Sequence, residues 1–315
     1  MAENIFNIAV TFDAESDFFD AGLFPGKGRG DLLWRGVEEG IPLLVKTLRG
    51  YQDSFGNSLK FTWFVRADNQ LREVCGHAGY LLRTCKHMWT ALIKSGDEVG
   101  WHPHLYRKLG GKWVQETRAA YLAKDLQQSY QAVIAEGFLP VSSRIGEAFH
   151  SNEIMHELAS LGMKIDSTAM PGRVRMDNER NVDWQPTPPH PYYPAKTDYR
   201  IPGENEKRVN ILEVPMSMIR TRVEYDRSDV RRYIDLSFHN SVIREGLLAY
   251  IKVSDYLVSI THPSTVLALA NRKHPLVSFD IGEVERNLTT ILSECNRLNK
   301  KVRFVTIAEF QDLEG

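Results

Sequence analysis

The feature that most constrains this chain is an alternation repeated along nearly its whole length, in which short apolar runs that fit strands precede longer stretches with helical spacing. Ile5–Val10 leads to a helical pattern over Val37–Leu48, and Lys60–Val65 to one around Tyr80–Ile93. Glu98–His102 reads as a short strand before the helical stretch Glu116–Glu136. Val141–Arg144 is extended ahead of a helix over Ser151–Leu161, which Gly162 ends in the left-handed conformation. Lys164–Ser167, Asn210–Val214, Tyr256–Thr261 and Val302–Thr306 complete the strands, with Asp229–Tyr250 mostly helix and Ile281–Leu298 helix. Repeated βα units argue for α/β class, a parallel sheet with helices outside, and so many in one chain favour a barrel.

Composition narrows the partners. The 315 residues, 43% hydrophobic, can bury a large core in one barrel-like domain or two smaller ones. The 39 basic and 40 acidic side chains are interspersed, so no basic stripe points to nucleic acid. No basic segment followed by an apolar one opens the chain, and no apolar run approaches the roughly 18 residues that would span a membrane. The expectation is a cytoplasmic protein without a transmembrane segment, with an oligomer left open. Cys75, Cys85 and Cys295 lie far apart without a CxxC pair and read as reduced, buried thiols.

In such a sheet chemistry collects where strands end. Thr11-Phe12-Asp13-Ala14-Glu15 follows the first strand and sets two carboxylates on one face of extended chain, where they repel unless a cation or proton lies between them. Gly100-Trp101-His102-Pro103-His104 ends the third strand, and histidines two apart on extended chain can both reach one metal ion.

These motifs resemble those of the polysaccharide deacetylase family, carbohydrate esterase family four and its amidase relatives. TFDAE is similar to the family's TFDD-type first motif, EVGWHPH to its second, and Ser143-Arg144-Ile145-Gly146 to its third. Lys164–Gly172, Asp183-Trp184 and Pro191-Tyr192 are like stretches of many uncharacterised relatives. Ser259-Ile260-Thr261-His262-Pro263 is similar to the last motif, and Lys301–Gln311 to the closing strand and short helix. The resemblance implies a single distorted (β/α)7-type barrel over residues 1–315, with a long loop insert at about 170–208. It implies Asp13 as general base, Glu15 and His102 as metal ligands, His262 as general acid and Arg144 as the group orienting the base. Two positions depart from the pattern: the second acid is Glu15 rather than aspartate, and Tyr106 stands four residues after His102, where the family has histidine. The second imidazole therefore comes from His104, or the ligand set is altered.

A divalent ion, zinc by preference, held by Glu15, His102 and His104 would polarise an amide carbonyl and acidify water. Asp13 would take the proton as that water attacks, and His262 would protonate the departing amine. The expected activity is removal of an acetyl or formyl group from a sugar or small amide, with Trp101, Tyr106, Trp184 and Tyr192 as candidate sugar-binding rings. Gly22–Gly30 reads equally as a flap beside the acids or a plain surface loop; the proline-rich insert reads as a lid or binding wall, and His150 as a residue that approaches the site. Two other readings stand beside this one: a different metal-dependent barrel amidohydrolase, and a catalytically inactive carbohydrate-binding relative.

Overall fold

The structure, a computed structural model, describes residues 4–17, 33–176, 181–268 and 274–313. Gly22–Gly30 lies outside the described residues. The central sheet is built from β1 (Ile5–Ala14), β2 (Phe61–Arg66), β3 (Glu98–His102), β4 (Ser142–Ser143), β5 (Ile165–Asp166), β6 (Leu212–Glu213), β7 (Tyr256–Thr261) and β8 (Lys301–Phe304). Every residue of β2 and β7 is buried, as is nearly all of β1, which is why these strands read as continuous apolar runs rather than alternating ones.

The strand order is β6-β5-β4-β3-β2-β1-β7, with β8 also on β1. Order in space follows order in sequence, and the late strand β7 returns beside the first. A doubly wound sheet would instead reverse direction at a switch point, so this is the singly wound order of a distorted (β/α)7-type barrel. The β1–β7 register runs from Asn7 opposite Tyr256 to Phe12 opposite Thr261, and the β1–β8 register from Ile5 opposite Lys301 to Ile8 opposite Phe304. Asn7 and Ile8 pair with both, so β7 and β8 flank opposite edges of β1. All these pairings are parallel, as are β3–β4, β4–β5 and β5–β6.

The chain divides into two compact units, with the division falling inside β2. One carries β1, β7 and β8 with helices α1 (Ile41–Leu48), α7 (Asn240–Val253) and α8 (Ile281–Arg297). In α8, Asp280 caps the first turn by accepting from the Gly282 N–H, and Val284, Leu288, Ile291 and Cys295 form one buried stripe. Burying such a side chain contributes about 1.5–3 kcal/mol. The other unit carries β3 to β6 with α2 (Asn69–Cys75), α3 (Tyr80–Thr84), α4 (Lys86–Lys94), α5 (Ala119–Ala135) and α6 (Asn152–Ser160). Gly162 follows α6 at φ +88°, the expected left-handed stop. No helix among the described residues is long and apolar enough to cross a membrane.

Three expectations need correction. The helix over Asp229–Tyr250 begins only at Asn240; before it, Val230–Tyr233 pairs antiparallel with Met218–Thr221. A helical window over a polar, arginine-rich stretch missed a two-stranded ribbon whose pairs run from Thr221 opposite Val230 to Met218 opposite Tyr233. The helix over Tyr80–Ile93 is broken at Cys85, and α2, with only seven residues and no long apolar period, was not foreseen. The insert at 170–208 has structure of its own: Val174–Met176 pairs with Asn181–Asp183, and Pro194–Ala195 with Asp198–Pro202. Cys75 and Cys295 are buried thiols outside any disulfide, and Cys85 is a thiol outside any disulfide that is only partly buried.

Candidate active site

The third strand delivers the histidines. Gly100 sits where a Cβ would come within 2.7 Å of the Phe64 ring and 2.8 Å of the Ser142 hydroxyl, so this part of β3 needs a residue without a side chain. His102, at 2% exposed, has Nδ1 2.7 Å from the carbonyl oxygen of Arg144. A carbonyl can only accept, so Nδ1 donates and Nε2 of the neutral ring carries the lone pair, the arrangement expected of a metal ligand. His104 is also buried, and its Nε2 lies 3.1 Å from Nε2 of His102, with the rings nearly perpendicular. Two lone pairs at that separation repel unless a proton or a cation lies between them.

The first and seventh strands deliver the acids and the third histidine. Asp13 is buried at the end of β1, and Glu15 follows just past it. Glu15 Oε1 is 3.3 Å from Nε2 of His262, which stands one residue beyond β7. Burial works against a charge on His262, but Glu15, then Asp13 and Asp235, outweigh it and push its pKa up to about 9. Asp235 is a residue that sequence reasoning missed, because it fell inside the misread helix. Its Oδ1 accepts from the Ser237 N–H, the Ser237 hydroxyl and the Thr261 hydroxyl. Burial pushes its carboxyl up in spite of those bonds and the charge of His262.

Among the described residues one group could hold a metal ion: single ligand atoms of Glu15, His102 and His104 all lie within 4.8 Å of one another. Two imidazole nitrogens and a carboxylate oxygen are a donor set suited to zinc with further coordination positions left over. His102 also has the hydrogen bond that fixes a ligand tautomer, so the residues fit the ion that the motifs imply.

Arg144, just beyond β4, is fully buried. Its guanidinium lies 4.1 Å over the Phe64 ring, with Nε donating to the Ser167 carbonyl at 2.9 Å and Nη2 to the Ser167 hydroxyl at 3.2 Å. His150 serves a different cluster. Its Nδ1 accepts the Ser151 N–H, its Nε2 is 3.3 Å from Asp166, and its ring stacks on Tyr199. Burial and the neighbouring Asp166 push the Glu213 carboxyl well above the usual carboxylate range. Burial opposes the charge on Asp166, yet His150, Glu213 and Ser143 hold its carboxyl below the ordinary value.

The four candidate sugar-binding rings do not stand open. Trp101 is 1% exposed, donates its ring N–H to the Ala67 carbonyl and packs on Tyr130. Trp184 is wholly buried, donates to the Ala148 carbonyl and packs on His150 and Tyr199. Tyr192 is buried and donates to the Tyr199 carbonyl. Tyr106 is buried too, but its ring lies against that of His104, 5.9 Å between centroids. The aromatic signal that marked them is the signal of core packing.

No family profile and no curated protein matches this chain. Among solved structures, a candidate polysaccharide deacetylase from Mycobacterium smegmatis is similar at 16% identity and a TM-score of 0.57, covering 99% of this chain and 91% of its own. A family 4 carbohydrate esterase from Streptomyces lividans, in complex with acetate, matches at 10% identity and a TM-score of 0.41, over 96% and 94% of the two chains. A family 4 acetyl xylan esterase from Clostridium thermocellum, in complex with a cobalt ion, matches at 12% identity and a TM-score of 0.42, over 98% and 92%. The likeness is one of fold, and it agrees with the order of the sequence motifs: this chain has the fold of the polysaccharide deacetylases.

Proposed function

We propose that this protein is a metal-dependent hydrolase that removes an N-acyl group, acetyl or formyl, from a sugar or a small amide. The observation that carries the reading is the grouping of Glu15, His102 and His104, with the His102 ring fixed by the Arg144 carbonyl. A zinc ion held by these three residues would polarise the scissile carbonyl and make water a better nucleophile. Asp13, a carboxylate at the end of the same strand that leads to Glu15, takes the proton from the attacking water. Arg144 has the role of orienting Asp13 in this reading. In the metal-free protein Glu15, Asp13 and Asp235 push the His262 pKa up to about 9 against the effect of burial, and in this reading the ring gives its proton to the departing amine. An amine is a poor leaving group unless protonated, so a histidine poised in its charged form suits amide cleavage.

Residues 1–315 act as one catalytic domain in this reading, in the cytoplasm, on a sugar or a small amide. The test is to load the purified protein with zinc and incubate it with a panel of N-acetyl and N-formyl sugars and small amides, measuring released acetate or formate. Release from at least one compound, abolished by chelation, is the expected result. Zinc binding without release would favour an inactive carbohydrate-binding protein, a reading that Tyr106 in place of the motif histidine supports.

A further inference from the structure

The position four residues after His102 is Tyr106, so His104 must reach the same point along a shorter path. A histidine on a loop does that only if something fixes its backbone. Asp68 stands just past the end of β2, and its side chain holds three groups at once. Oδ2 accepts the backbone N–H of His104 at 3.2 Å and the Nε–H of Arg66 at 2.7 Å. Oδ1 accepts the Leu71 N–H at 2.9 Å, capping α2. Arg66 in turn donates from Nη2 to Gln70 Oε1 at 2.6 Å. Arg66, Asp68 and Gln70 are all buried, Arg66 and Gln70 completely. Burying an arginine and an aspartate carries a desolvation cost of several kcal/mol per ion that a helix cap alone would not require.

The His104 ring is packed as tightly. A Cβ on Gly146 would lie 2.1 Å from the imidazole Cδ2, and the Gly146 N–H donates to the Pro103 carbonyl at 2.9 Å. Glu147 and Ala148 follow at φ 56° and 54°, a left-handed pair of residues with side chains. Such backbone costs of order 1–3 kcal/mol per residue and persists where the surroundings enforce it.

We infer that Asp68, held by Arg66, is a positioning residue that clamps the His104 backbone so that this histidine serves as the second imidazole ligand. The inference rests on the metal-centre reading above. The clamp ties the loop after β3 to the start of α2, while Gly146 leaves room for the ring. His104 is then presented ready-made, and its placement does not depend on the ion.

The discriminating variant is Asp68→Ser, because serine caps a helix as well as aspartate does but cannot reach Leu71, His104 and Arg66 together. In metal-free protein the His104 amide should exchange slowly in the wild type, protected about 100-fold or more, and lose that protection in Asp68→Ser while the Leu71 amide keeps its own. Zinc affinity, read by competition with a chromophoric chelator, should fall about 10–100-fold in the variant, and the visible bands of the cobalt-substituted protein should shift. Equal exchange at His104 in the two proteins, or equal zinc affinity with unchanged cobalt bands, overturns the clamp. Wild-type protein that binds no zinc while the exchange difference stands would overturn the metal-centre reading, and with it the ligand role given to His104, while the backbone clamp stood. Should Asp68→Ser fail to fold, the wild-type exchange still decides, since an unprotected His104 amide in native protein is incompatible with the clamp.

Discussion

His102 and His262 are the same side chain at the ends of two strands of one sheet, and their surroundings give them opposite properties. His102 is buried, and its Nδ1 donates to a backbone carbonyl, a partner that fixes the tautomer and brings no charge. His262 keeps about a third of its side-chain surface exposed and faces Glu15 across 3.3 Å, a partner that favours the charged ring. A neutral partner makes a histidine a lone-pair donor; a carboxylate partner makes it a proton carrier. The same division runs through the neighbours. Around His102 and His104 backbone groups and the Arg66–Asp68 pair fix the imidazoles, whereas Asp13 and Asp235 add their charges at His262, and Glu15 is shared by the two groups.

The comparison breaks most sharply at His102. His102→Ala should remove one of the three proposed ligands and with it the ion, lowering kcat/KM by about 1,000-fold or more, since such an ion would supply several kcal/mol of transition-state stabilisation. The check is metal content by mass spectrometry beside turnover; a metal-replete variant would reverse the ligand assignment. Asp13→Asn should keep the ion and the fold and lose about 100- to 10,000-fold in kcat, the range of a missing general base. If that variant also lost its zinc, Asp13 and Glu15 would have to exchange roles.

His262→Gln sharpens the other side. Loss of the acid should cost about 100-fold or more on an amide substrate and much less on an activated aryl ester, whose leaving group departs without a proton. Equal losses on both would leave His262 a structural residue. Its titration gives a gentler test. In metal-free protein the ring should titrate near pH 9, above the ordinary 6.5, so its contribution to stability is full below about 6.5 and lost as pH rises through about 9. Zinc that engages Glu15 withdraws the main charge raising this value, and the midpoint followed by NMR should drop. A midpoint unmoved by saturating zinc would mean that Glu15 is not a ligand. The smallest effect belongs to Trp101→Phe, which removes the donor to the Ala67 carbonyl: stability should fall by about 1–3 kcal/mol with KM unchanged. A raised KM at unchanged stability would restore Trp101 to a substrate-binding role.

Much of this was legible in the residues. The runs Ile5–Val10, Phe61–Val65 and Tyr256–Thr261 announce strands buried on both faces, and repeated βα order leads to the singly wound sheet that the structure has. A parallel sheet puts all its strand ends at one edge, so Asp13 and His102 could be named as site candidates with no coordinates, and the family resemblance added Arg144 and His262. Local spacing did worse where the deciding partner was distant. The ribbon at Val230–Tyr233 was read as helix because its pairing strand had no pattern strong enough to be seen. Asp235 was hidden in the same stretch, and sequence left Trp101 and Trp184 open between binding surface and core, because an aromatic ring looks the same in a wall and in a core.

What the sequence determined by itself is therefore the order of the strands and the chemistry available at their ends, since both follow from short-range periodicity and residue type. What only the tertiary structure decided is which partner each polar group meets. The Arg144 carbonyl at His102 comes from 42 residues away, Asp68 at the His104 backbone from 36, and Glu15 at His262 from the opposite end of the chain. Tautomer, charge state and ligand geometry depend on contacts of 3 Å or so, and packing alone brings such distant residues that close.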